Sequence, residues 1–269
     1  MKQFLLLVIT FMSYNLSAQG WYPMGSRSMS MGNASVTLND VWAFHNNPGA
    51  LGTLDKITAG VSYENRFLLQ ELQTQGVAVA IPLKEGVISV GGQTYGYRAF
   101  RTYKGGIGYS MPLGEKLFAG VQLNYQGLQL SQNYGSRSTV TGEAGLFAEI
   151  SEDWHLGVSV FNVGRAKLSE PYDDRFTTLM RLGTSYRFSE RFMIALEAEK
   201  DLDYDPRIKT GLEYEVLNSF YLRGGFATAP VEFSFGMGYE FGVIQLDAGS
   251  AYHQILGWSP NFTLVYKQK

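Results

Sequence analysis

From Leu117 to Gln126 the chain reads LFAGVQLNYQ, with Leu117, Ala119, Val121, Leu123 and Tyr125 on one phase and Gly120, Gln122, Asn124 and Gln126 on the other. A period of two is the side-chain period of a β-strand, so this segment has one apolar and one polar face. The pattern returns in Arg181 to Phe188, in Ile208 to Val216 and in Phe233 to Phe241, where Phe233, Phe235, Met237, Tyr239 and Phe241 oppose Ser234, Gly236, Gly238 and Glu240. Read along the whole chain, it predicts fourteen strands near 56–67, 74–82, 86–97, 102–112, 116–128, 139–150, 154–163, 176–188, 191–200, 207–216, 219–227, 231–241, 243–253 and 260–267.

A sandwich also alternates, so periodicity does not decide the architecture. The connections do. Tight turns at Leu83-Lys84-Glu85, Leu113-Gly114-Glu115, Ser151-Glu152-Asp153, Ser189-Glu190, Leu217-Asn218 and Gly242 follow the even strands, while longer loops such as Gln129 to Ser138, Gly164 to Arg175 and Gln254 to Ser259 follow most odd ones. An even strand number with turns sorted by length is the habit of outer-membrane barrels. Tyr186, Phe188, Phe192, Phe220, Tyr239 and Phe241 gather beside the short turns, where an interfacial girdle would lie. Glu143, Glu149, Arg181, Arg187, Glu197, Glu199, Lys209, Glu213, Glu215, Arg223, Glu240 and Asp247 share the polar phase. An Arg or Lys facing lipid at mid-depth costs about 2–4 kcal/mol, so this phase faces a lumen. The fold expected is an all-β, transmembrane antiparallel barrel.

One long stretch, Gly25 to Gly52, breaks the alternation. Its small residues and the Asn46-Asn47-Pro48-Gly49 break suit a segment folded against other protein, with a short helix from Asn39 to His45 ended by the proline. It is expected to occupy the lumen as a hatch. Met1 to Ala18, with Lys2, an apolar run and Leu16-Ser17-Ala18, reads as a secretory signal, which leaves residues 19–55 as hatch and 56–269 as barrel.

Composition narrows the function. The 269 residues include 31 Gly, 17 Tyr and 17 Phe, 45% are hydrophobic and 17% charged, and the net charge is -2 without a basic patch, which argues against nucleic acid. The absence of Cys removes disulfides, thiolate metal sites and an N-terminal lipid anchor. No nucleophile elbow, His-Glu-x-x-His pair or phosphate-cradling loop is present. Among His45, His155 and His253, the best catalytic trio is His253 with Ser250 and Asp247, and a regular strand puts Ser250 and Asp247 on opposite faces. No catalytic residue, metal site or cofactor is expected. Glu170 to Asp174 with Asp201, Asp203 and Asp205 could hold calcium, but no binding-loop spacing supports it, and solvated acidic loops are preferred. Phe67, Leu68, Leu69 and Leu72 form an apolar cluster in the first outer loop.

The run Gly25-Ser-Arg-Ser-Met-Ser-Met-Gly32-Asn-Ala34, then Asn39-Asp40-Val-Trp-Ala43 and Asn47-Pro48-Gly-Ala-Leu51, resembles the N-terminal hatch of FadL-like outer-membrane proteins, and more closely that of the PorV/PorQ group of Bacteroidetes type. Glu64 to Phe67, Gly96-Tyr97 and Leu256 to Pro260 are similar to that group too. The family's Asn-Pro-Ala-Gly is Asn-Pro-Gly-Ala here, and the chain is short for either group. The resemblance implies a Gram-negative outer-membrane location among membrane lipid, with Gly25, Gly32, Asp40, Asn47 and Pro48 as hatch or gating residues. It implies either passage of a hydrophobic or amphipathic small molecule, or docking of proteins exported to the cell surface, as in type IX secretion.

Overall fold

The computed structural model describes residues 23–131, 135–169 and 174–269; the expected signal segment and Glu170 to Asp173 lie outside them. The barrel strands are β1 (Thr58–Asn65), β2 (Gln73–Leu83), β3 (Gly86–Tyr97), β4 (Phe100–Pro112), β5 (Leu117–Leu130), β6 (Ser136–Glu149) and β7 (Trp154–Phe161), and then β10 (Leu179–Ser189), β11 (Phe192–Asp201), β12 (Arg207–Leu217), β13 (Phe220–Ala227), β14 (Glu232–Phe241), β15 (Ile244–His253) and β16 (Gly257–Lys267). A two-stranded ribbon, β8 (Lys167–Ser169) with β9 (Asp174–Arg175), sits in the loop between β7 and β10. Each barrel strand pairs antiparallel with its sequence neighbour, β7 pairs with β10, and β1 pairs with β16 to close the ring. Closure matters because an open edge in lipid would leave backbone groups unbonded.

Alternation sorts the wall. Val121, Leu123, Leu182, Leu212, Phe233, Phe235 and Leu264 are exposed outward, while Gln122, Asn124, Arg181, Lys209, Arg223 and Asp247 are buried inward. Tyr186 and Phe188, with ring centroids 4.8 Å apart, and Tyr239 and Phe241, at 5.9 Å, lie on the outer face beside short turns.

Two of the expected loops at the other end, 129–138 and 254–259, are shorter than the sequence suggests, and 164–175 is longer. β5 and β6 run on to Leu130 and from Ser136, so the expected 129–138 loop shrinks to 131–135, and β3 joins β4 through Arg98-Ala99 alone. Only 162–178 is long.

The lumen is filled from inside by residues 23–54. The expected helix over Asn39 to His45 is one turn, α2 (Ala43–Asn46), and an earlier turn, α1 (Ser26–Ser30), also forms. Pro48 begins a 3-10 helix that continues to Thr53, because the Asn47 side chain accepts from Gly49 N at 3.0 Å and caps it. Met24, Met29, Val41, Trp42, Phe44 and Leu51 pack on inward Ala78, Ala80, Val87, Phe147 and Val265. Met31, Ala34 and Leu38 pack on Ala195. Small inward residues let this happen: a Cβ on Gly225 would lie 2.0 Å from Gly32 N, and one on Gly145 would lie 2.0 Å from Asn47 Oδ1.

Candidate functional site

The hatch is held by polar groups drawn from the whole circumference. Asn47 ties the hatch to itself and to the wall: its Nδ2 donates to Val36 O at 2.7 Å within the hatch and to Leu146 O at 3.0 Å on β6. Pro48 O accepts from Ser110 Oγ at 2.6 Å on β4. On the opposite wall Ser26 N donates to Thr263 Oγ1 at 2.8 Å, Ser26 Oγ bonds Asn261, and Gly32 N donates to Ser234 Oγ at 2.8 Å. Gly25 and Gly32 both have positive φ, 95° and 65°, which side chains with a Cβ rarely adopt. His45 Nε2 meets Val77 O at 3.2 Å and therefore carries the proton, between the rings of Trp42 and Phe44. Burial drives its pKa down to about 3, so the ring is neutral.

Two ion-pair clusters carry most of the inward charge, and the strand register builds them. Arg181 stands opposite Glu199, and Glu197 opposite Lys209. Lys209 Nζ lies 2.9 Å from Glu197 and 2.8 Å from Glu199, and Arg181 Nε lies 2.8 Å from Glu199. The second oxygen of Glu197 accepts from Ser35 N and Val36 N, each at 2.7 Å, and Arg181 Nη1 donates to Asn46 O at 3.0 Å. This cluster is thus both a lattice within the wall and a clasp on the hatch backbone.

In the second cluster Glu213 stands opposite Arg223. Glu213 accepts two bonds from Arg27 of the hatch, at 2.7 and 2.8 Å, and one from Arg223 at 2.6 Å. Arg223 also reaches Asp247 at 2.6 Å, and Arg27 reaches Asp40 at 3.4 Å. Asp40 Oδ1 accepts from Trp42 N at 2.9 Å. Opposite charges at these distances attract, but each has given up hydration, so the pairs fix geometry more surely than they add stability.

A third group, Lys104 with Glu143 at 2.5 Å and Asn124 with Glu143 at 2.7 Å, lies on β4–β6. Of the remaining expected inward charges, Glu240 pairs with Lys267 at 2.8 Å and Glu215 accepts from Ser219 N at 2.8 Å, while Glu149 faces His155 across β6 and β7. Arg187 is exposed at the mouth. It lines, with Arg27, Asp40, Glu213, Glu240 and Lys267, a cavity of about 450 Å³ between the hatch and the short turns. Lys104 and Arg27 were not among the expected inward charges, whereas Asn124 was placed on the polar phase. Lys104 shares the inward phase of Ser110, which was the available signal; Arg27 sits where no strand period exists.

The outer-loop cluster divides. Phe67 and Leu68 hold positive φ, 56° and 59°. Phe67 N donates to Ser259 Oγ at 3.1 Å and its ring meets His253 edge-on at 5.9 Å, while Leu68 and Leu69 are exposed and Leu72 half-buried. His253, Ser250 and Asp247 do not come together. His253 Nδ1 accepts from Ile255 N and Leu256 N at 3.2 Å, Ser250 Oγ donates to Ala251 O at 3.4 Å, and Asp247 is taken by Arg223. Asp201 Oδ1 accepts from Asp203 N at 3.1 Å, and among the described residues no three His, Asp or Glu are grouped to hold a metal.

No protein-family profile and no curated protein sequence matches the chain. Solved structures do. The Ralstonia pickettii toluene transporter TbuX is similar over 93% of this chain and 99% of its own, at 12% identity and a TM-score of 0.69. A mutant of TodX, a monoaromatic hydrocarbon channel, is similar over the same shares at 13% identity and 0.71, and a Pseudomonas aeruginosa FadL homologue over 93% and 96% at 13% and 0.60. The closed fourteen-stranded barrel is therefore the fold of FadL-like outer-membrane proteins, among which TbuX is a toluene transporter and TodX a monoaromatic hydrocarbon channel.

Proposed function

We propose that this chain, built on the barrel of hydrocarbon transporters, is a non-enzymatic outer-membrane channel that passes hydrophobic or amphipathic small molecules, with residues 23–54 as its gate. The observation that carries the reading is the seating of the hatch. It is packed inside a complete barrel but attached through side-chain hydrogen bonds and ion pairs, not strand pairing, so it can shift without opening the wall. Gly25, Gly32, Asp40, Asn47 and Pro48 serve that seat, and exposed Leu68 and Leu69 offer an apolar landing at the outer rim. Uptake of labelled toluene and of a labelled fatty acid by cells with and without the chain is the test. Equal uptake of both probes by the two strains sinks the reading.

One observation favours a second reading, a docking component of protein export to the cell surface. The roughly 450 Å³ cavity is lined by charges of both signs, and the ion-pair lattice fills much of the interior, which suits a plugged scaffold better than an apolar conduit. Cross-linking in intact outer membranes distinguishes them: stoichiometric exported partners without uptake would support the scaffold.

A further inference from the structure

The barrel wall is uneven. β3 to β6 are 12 to 14 residues long, whereas β13, directly across the ring from β4, has 8. At about 3.3 Å per residue and a tilt near 40°, 14 residues rise about 35 Å and 8 residues about 20 Å, against an apolar band of about 25 Å. The tall wall must therefore stand above the acyl region.

Its outward face is ordered by height. Exposed Ile107 and Leu123 are paired across β4 and β5, and above them Tyr103 and Tyr125 lie with ring centroids 6.1 Å apart. Tyr125 Oη donates to Ser138 Oγ at 2.7 Å. Tyrosines mark the boundary between acyl chains and headgroups. One pleat higher, about 7 Å along the strand, Arg101 shares the Tyr103 face and is paired with Gln129, with Arg98 in the adjoining two-residue turn. Both arginines are exposed, and neither makes an ion pair or side-chain hydrogen bond with any described residue. From Gly86 to Gly142 the one acidic residue is Glu115, in a short turn at the other end. Elsewhere the same rim carries both signs, with Glu71, Asp201, Asp203 and Asp205 but also Arg66, Arg165, Lys200 and Arg207.

We propose that Arg98 and Arg101 bind the phosphate of a phosphorylated glycolipid in the outer leaflet, whose acyl chains lie along Ile107, Leu123 and Tyr125. The guanidinium fork matches phosphate oxygens two at a time, and the Tyr boundary sets it at the height where such a group is found. No acid on the outward face of this wall cancels the positive charge, so occupancy by an anion is favoured there over the mixed remainder of the rim. The site depends on the barrel fold alone and stands whether the lumen conducts or not.

Native mass spectrometry of the full chain in detergent tests it, with bisphosphorylated lipid A, its dephosphorylated form and inorganic phosphate as probes. The native chain should retain the phosphorylated lipid about tenfold better than the dephosphorylated one, a preference lost in Arg98→Gln/Arg101→Gln and unaffected by excess inorganic phosphate. Equal retention of the two lipids by the native chain, or an undiminished preference in a folded double variant, overturns the proposal. Displacement by inorganic phosphate also overturns it, since that marks a free-anion site. Should the double variant fail to fold, Arg98→Gln in the exposed turn must still lose about threefold.

Discussion

His45 is a base placed where it cannot be one. Its ring is enclosed by Trp42 and Phe44, and its ordinary pKa of 6.5 falls to about 3. The unfolded chain therefore takes up a proton that the folded chain refuses. His45 contributes its full stability above about pH 6.5 and loses it progressively as pH falls toward 3. Denaturant titrations of the native chain and of His45→Gln at pH 7 and pH 4 check this: the native chain should lose more stability on acidification than the variant. Glu197, 2% exposed, is the matching acid. In Glu197→Gln a neutral amide oxygen replaces the carboxylate oxygen that accepts from both Ser35 N and Val36 N, and the NH2 group faces Lys209, which retains only Glu199, so hatch opening should become easier by about 2 kcal/mol. Hydrogen exchange at Ser35 and Val36 reads it, and unchanged protection there would contradict the clasp. The sequence shows Glu197 facing inward, since a period of two is enough for that. It does not show what Glu197 holds, because its partners lie some 160 positions earlier in a stretch without periodicity.

At the scale of elements, strands were legible to within a few residues because each carries its own alternation, and the hatch was not. Ser26–Ser30 has serine at three of its five positions and no helical apolar period, and it turns because the lumen encloses it and Ser28 Oγ bonds Met24 O and Gly25 O. Loop lengths misled for another reason: polar Gln129 and Ser136 to Ser138 read as loop, yet they extend β5 and β6 beyond the lipid, where polarity is compatible with strand. The hatch depends on the wall giving it room. Gly225→Val would drive a side chain into the Gly32 backbone and unseat the segment while the barrel stays closed. Limited proteolysis should then cut within 25–51 in the variant and spare the native chain. Equal resistance would mean that the wall yields instead.

For the whole molecule, the ion-pair lattice and residues 23–54 share the lumen. A planar-bilayer recording of the native chain should show no steady ion-selective conductance, and removal of 25–51 should admit large solutes in a liposome-swelling assay while the barrel still folds. A steady conductance in the native chain would mean that the paired charges line a permeation path. These outcomes follow from lattice and plug, which required coordinates: the sequence shows charges of both signs on one phase, and only the register shows that Arg181, Glu197, Glu199 and Lys209 satisfy one another.

The unequal strand lengths also bear on the bilayer. A cylinder whose β13 side rises about 20 Å, against an apolar band of about 25 Å, cannot stand upright in a slab of even thickness without mismatch on that flank. It must lean, or draw the lipid thinner around its short flank, and this creates a soft spot where lipid order is lowest. The protein thereby gains a front and a back in the plane of the membrane, and the packing defect at the short flank is where amphipaths dissolved in the leaflet would collect.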